Sequence, residues 1–279
     1  MNPWLSVFAA VFTAAVMFSA AAAAPPVEIR RILTERKLLL RAFLVNVVVV
    51  PAVAAVLFHA FHTEDFAVGA VLAAICPGAP FGTYFASRSN RNVALAMVLT
   101  CGLTIVALVS TPITSRFIFG ADRMVALPEG LGLLLAGLII LLPVFAGQAL
   151  HRRLPAIAAR VARAAHLIAI PALVAASVAA AGMRSRGVRG MGWAGSALVL
   201  SLVVISMAAG WLAARSRDTR TTLATSTGLR NAGFAYLFAG YSFPGTDVEL
   251  GVAAYSILML VPNFAFTAVM RRGQSGTRA

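Results

Sequence analysis

Charge is scarce in this sequence: Asp, Glu, Lys and Arg make up only 11% of its 279 residues, and the acidic ones number just 9. Soluble domains carry about a quarter charged residues, so a water-surrounded globular fold is excluded. The two cysteines, Cys76 and Cys101, both fall inside long apolar runs and give no support to a disulfide framework. His59, His62, His151 and His166 stand apart at loops or helix starts, without metal-ligand spacing, which leaves an intramembrane enzyme as the weakest alternative. No Walker-type loop precedes a nucleotide-binding domain, so direct ATP drive has no support. The first apolar run lacks Lys or Arg ahead of it and has its basic cluster behind it. Despite the small residues at 20–24, we expect a retained first helix and not a cleaved signal.

What the chain does have is apolar length. Its composition is 60% hydrophobic with a mean hydropathy of +0.89, which defines an all-α polytopic membrane protein. The apolar runs predict about nine transmembrane helices of roughly 20 residues each, at 3–24, 38–58, 66–85, 93–114, 127–150, 162–183, 191–214, 219–240 and 248–270. They fill 1–279 as a single transmembrane domain. The formal charge of +14 comes from basic residues in the short loops, not along one face, so no nucleic acid partner is expected, nor an obligate protein partner. Arg30, Arg31, Arg36 and Lys37 in the first loop, Glu64 and Asp65 in the second, and Arg88 and Arg91 in the third alternate in sign. By the positive-inside rule the N-terminus is outside and the C-terminus cytoplasmic, in a plasma or bacterial inner membrane. Arg184, Arg186 and Arg189 dissent from this assignment.

Two segments break the apolar pattern. The third run contains Cys76-Pro77-Gly78-Ala79-Pro80-Phe81-Gly82-Thr83, where two prolines remove amide donors from a would-be helix. The eighth contains Ser226-Thr227-Gly228-Leu229-Arg230-Asn231-Ala232-Gly233, with a guanidinium near mid-span. Broken backbone inside a membrane is tolerated only against protein or a wet cavity, so both segments are candidate site elements. The bland alternative for the first is a packed proline kink. Both occupy the penultimate helix of a half, which suggests inverted repeats at about 1–119 and 120–279 with a substrate site between them. Asn263, after Pro262, either lines that site or satisfies freed backbone.

These residues resemble the bile acid:sodium symporter family, of which the chain would be a divergent bacterial-type member. The resemblance rests on Cys76-Pro77-Gly78 followed by Asn92-Val93-Ala94-Leu95 and Thr111-Pro112, on Gly228 through Ala235, and on Asn46 followed by Pro51. It implies an inverted-repeat fold of panel and core domains with two crossed discontinuous helices. It also implies sodium ligands, and there the chain departs. Gly82 and Thr83 replace a Ser-Asn pair, Ala96 a hydroxyl residue, Ser226 a Glu and Arg230 a Gln. Asn46, Thr83, Thr100 and Ser226 remain as possible ion ligands, for at most one sodium, since arginine supplies no oxygen. Arg230 either takes the cation's place or meets an anionic solute.

The expected function is secondary active transport of a small or amphipathic organic anion by alternating access, in contact with membrane lipid, with sodium as the sole candidate cofactor and its coupling open. A sodium-independent channel or facilitator is the alternative. The expected substrate and crossover residues are Pro77, Gly78, Pro80, Gly82, Thr83, Ser226, Thr227, Gly228, Arg230, Asn231 and Asn263.

Overall fold

A computed structural model of the chain describes residues 3–61, 65–88, 92–120, 125, 130–179 and 181–275. His62, Glu64 and Arg91 lie outside these. The described residues form helices only: α1 (Pro3–Ala23), α2 (Pro26–Thr34), α3 (Arg36–Leu44), a π-helical turn (Val45–Val49), α4 (Val50–Phe61), α5 (Asp65–Ala74), α6 (Pro80–Arg88) and α7 (Val93–Phe119) in the first part of the chain. Then come α8 (Gly130–Arg153), α9 (Pro155–Ala179), α10 (Ala181–Ala213), α11 (Arg217–Gly228), α12 (Ala232–Ser242), α13 (Val248–Leu258) and α14 (Leu260–Ser275).

The helix starts follow local chemistry. Pro26 opens α2, where its missing N–H costs nothing. Side-chain oxygens of Asn92, Ser216 and Asn231 accept the amides of Leu95, Thr219 and Phe234 and so cap α7, α11 and α12.

The expectation of nine membrane-length helices needs correction, and with it the inverted-repeat layout of panel, core and crossed discontinuous helices built on that count. Among the described residues four helical stretches are long and apolar enough to cross a membrane: Arg36–His59, Val93–Phe119, Ser185–Ala213 and Val248–Met270. A fifth arises only if Val7–Ala23 and Pro26–Thr34, bent by 95°, count as one span. For two of the runs the reason is local: an apolar run is a composition, whereas a span is an unbroken helix. Proline and glycine cut the 66–85 run into α5 and α6, of 10 and 9 residues, and the 219–240 run yields α11 and α12, of 12 and 11.

The surface is that of an integral membrane protein, with Phe117, Phe145, Val178 and Leu212 exposed. Between helices, small residues let backbones touch. A Cβ on Gly69 of α5 would collide with the backbone of Val248, and one on Gly251 of α13 with that of Phe66, so α5 and α13 meet glycine to glycine. Gly210 does the same for α10 against α11, where an added Cβ would lie 2.6 Å from the Leu223 carbonyl oxygen. This close approach buries all of α11 from Thr221 to Gly228, hydroxyls included.

Candidate functional site

The first helix break, between Ala74 and Pro80, exposes carbonyls that an unbroken helix would use internally. A face of α7 supplies donors for them. The hydroxyl of Thr111 donates to Ile75 O at 3.2 Å, that of Thr104 to Gly78 O at 3.1 Å, and that of Thr100 to Ala79 O at 3.1 Å. The second break supplies the rest: the amide N–H of Asn231 donates to Cys76 O at 2.9 Å, and its Nδ2 to Gly78 O at 3.3 Å. The two broken segments, 154 residues apart at Cys76 and Arg230, are therefore joined by direct hydrogen bonds inside the protein.

Arg230 sits in the second break and is fully buried. Its Nη1 donates to Asn46 Oδ1 at 3.0 Å. Asn46 is itself fixed, because its Nδ2 donates to Ala42 O at 2.8 Å and to Thr227 Oγ1 at 3.2 Å. It lies in the π-helical turn, an irregularity that commonly marks functional positions. Among the described residues the remaining donors, Nε and Nη2, have no hydrogen-bond partner, and Arg230 makes no ion pair. Tyr255 and Cys76 are the titratable groups facing the guanidinium; the Tyr255 hydroxyl lies beside it but meets no hydrogen-bond geometry. The result is a wholly enclosed positive charge without a paired carboxylate among the described residues.

The other expected residues divide. Gly82 packs against Ser226, whose Oγ would lie 3.1 Å from an added Cβ, and the hydroxyls of Thr83 and Thr100 bond each other at 3.0 Å. Ser226 Oγ is buried without a partner. Asn263 donates from Nδ2 to Met259 O at 2.8 Å and stands against Gly228, while its Oδ1 is unpartnered. Pro77 lies within the first break and Pro80 opens α6. Sequence reasoning missed Tyr255 and Met259, whose Sδ accepts the Arg230 N–H at 3.4 Å. A signal existed: Tyr255, Met259, Asn263 and Thr267 recur every fourth residue, one face of a helix. Thr104 and Thr111 follow Thr100 at spacings that share a face in the same way.

Sodium fits these residues poorly at one position and weakly at another. Beside Arg230 the only side-chain oxygen of Asn46 already accepts from a cation. Around Gly82, Thr83, Thr100 and Ser226 the oxygens are neutral, and no group of three His, Cys, Asp or Glu able to hold a metal occurs among the described residues. Hard cations favour anionic oxygen cages.

The geometry defines a class: an integral, helical membrane protein whose helix breaks meet around buried polar groups. The match to a family of transporters gives it a name. The model of the Sodium Bile acid symporter family matches residues 10–189, so the chain belongs to that family. The match includes the first break and α7 but ends before Arg230. A search of the curated proteins finds no match.

Asn46 offers a direct probe of the buried charge. Asn46→Asp is expected to place a carboxylate at the guanidinium, to keep or raise the thermal midpoint, and to cut transport at least about tenfold by neutralising the charge. Melting and uptake measured on the same preparation check it; a lowered midpoint with full uptake would show that the charge has no role.

Proposed function

We propose that this protein is a secondary transporter of a small or amphipathic organic anion, working by alternating access, in which Arg230 supplies a fixed internal positive charge where a bound cation would otherwise sit. One observation carries the reading: a guanidinium enclosed by protein, oriented by Asn46 and compensated by no carboxylate among the described residues. An isolated charge in such a place costs several kcal/mol, and intramembrane ionisable groups of this kind mark solute or ion pathways. The fixed charge lowers the cost of bringing an anion to the adjoining backbone, where the residues of the two breaks already present polar groups. It also removes the need for one coupling ion. Thr83, Thr100 and Ser226, with neutral oxygens only, leave room for at most one sodium. The basic loops support an outside N-terminus and a cytoplasmic C-terminus.

Uptake into proteoliposomes, with sodium and proton gradients imposed independently, tests this. Saturable uptake with counterflow and a dependence on no more than one sodium is the expected result. A two-sodium stoichiometry would overturn the fixed-charge reading, and flux without saturation or counterflow would make the protein a channel.

A further inference from the structure

A second polar feature lies away from the helix breaks. A cavity of about 1400 Å³ opens where the end of α1, α2, the start of α3, the start of α7 and the joint between α10 and α11 come together. Its wall carries Arg31, Arg36, Lys37, Arg41 and Arg215 against Glu28, Glu35 and Asp218. Arg31 is paired with Glu35, at 3.9 Å, but the other four cations make no ion pair in the described residues. Four unpaired cations around one hollow repel one another, and an anion placed among them removes that cost.

The backbone reinforces the same sign. Val93 and Ala94, in the first turn of α7, line the cavity, and that turn has no acidic residue. The side chain of Asn92 takes up only the Leu95 amide, at 2.8 Å, so the positive end of the helix dipole faces the hollow. At α11 the corresponding place is held by Asp218. The anion-accepting side is therefore the one bounded by α3 and α7. Next to it, α2 leaves α1 at 95°, a short helix that carries Arg30 and Arg31 and has Val27 and Leu33 exposed. Leu40 of α3 is exposed as well. These three side chains lie outside the wall of the hollow but on two of the helices that build it, and a cationic hollow beside exposed apolar residues fits an amphiphile with an anionic head.

We propose that this cavity binds the phosphate headgroup of an anionic phospholipid from the leaflet beside α2, with the phosphate between Arg36, Lys37, Arg41 and the start of α7 and the acyl chains over the exposed apolar residues of α2 and α3. Arg230 is not part of its wall, so the site is separate from the one at the helix breaks.

The purified full-length protein in detergent is titrated with phosphatidylglycerol or phosphatidylcholine, and retained lipid is counted by native mass spectrometry. Wild type is expected to favour phosphatidylglycerol at least about tenfold. Arg36→Gln/Arg41→Gln should lose the preference and Arg36→Lys/Arg41→Lys keep it. Arg152→Gln/Arg153→Gln, which removes the same charge at the end of α8, should also keep it. Equal behaviour of the two glutamine pairs would overturn the site. Displacement of phosphatidylglycerol by an equal concentration of glycerol 3-phosphate would overturn the lipid as occupant and leave a soluble phosphate in its place.

Discussion

Arg230→Gln is expected to lower organic-anion uptake by about tenfold to a hundredfold while leaving a folded protein, because a hydrogen bond to a charged group contributes about 1.5–3 kcal/mol. Glutamine keeps an amide donor on the Asn46 side, though it ends two bonds short of Nη1, while the positive charge is lost. Arg230→Leu removes both, and leaves the Asn46 oxygen buried without its donor. It should therefore lower the thermal midpoint further than Arg230→Gln. Arg230→Lys keeps the charge but cannot reproduce a planar group with Nη1 on Asn46 and two further N–H donors free, and partial recovery of uptake is expected. Thermal melts and initial uptake rates across the three variants, each at several sodium concentrations, resolve these terms. Folded variants with unchanged uptake and unchanged ion dependence would show that the guanidinium only fills space.

Gly78→Ala should be the most damaging small substitution in the first break. Gly78 has φ of 94°, in the left-handed region, and a Cβ there would stand 2.6 Å from both the amide nitrogen and the hydroxyl of Thr104. Strained φ and overpacking each cost about 1–3 kcal/mol, so a combined loss of about 3 kcal/mol is expected. That corresponds to a drop in thermal midpoint on the order of 10 °C, together with loss of uptake, because Gly78 O is the acceptor shared by Thr104 and Asn231. Gly245→Ala is the control: its φ of 76° is also left-handed, but open space surrounds the added methyl. Equal shifts at the two positions would mean that backbone strain alone, and not contact with α7, decides the outcome.

How far the sequence could be read depended on the kind of signal. Membrane residence and helical class were legible because they are sums over many residues. The interruptions at Pro77 and around Gly228 were legible because proline and glycine act on their own backbone. The span count was not, since the same prolines and glycines that marked the breaks also divided the runs that contained them, leaving α5 and α6 too short to cross. Arg230 stood out by its charge. Its partner Asn46 was read only through the family resemblance, because a bond between positions 46 and 230 depends on helices that pack far apart in sequence. Thr100 was read as a possible ion ligand and Thr111 as part of a motif, but what the threonines of α7 bond was hidden for another reason: a hydroxyl in an apolar helix usually bonds its own preceding turn. Only the structure shows three of them serving a neighbouring break. The cationic cavity was invisible too, because its basic residues read as topological signals when taken loop by loop.

One contact has an optical consequence. The guanidinium of Arg220, anchored to the carbonyl of Ala214 at 3.0 Å, stands 5.7 Å from the centre of the Trp211 ring, which also meets the edge of Phe266. It lies at the joint between α10 and the helix that leads into Arg230. The other tryptophans, Trp4 and Trp193, are 63% and 86% exposed. With those two replaced by phenylalanine, the chain's tryptophan emission comes from a single indole whose excited-state dipole senses one nearby cation. The joint thereby carries its own fluorophore, and movement there becomes readable as a change of colour and intensity in the unlabelled protein.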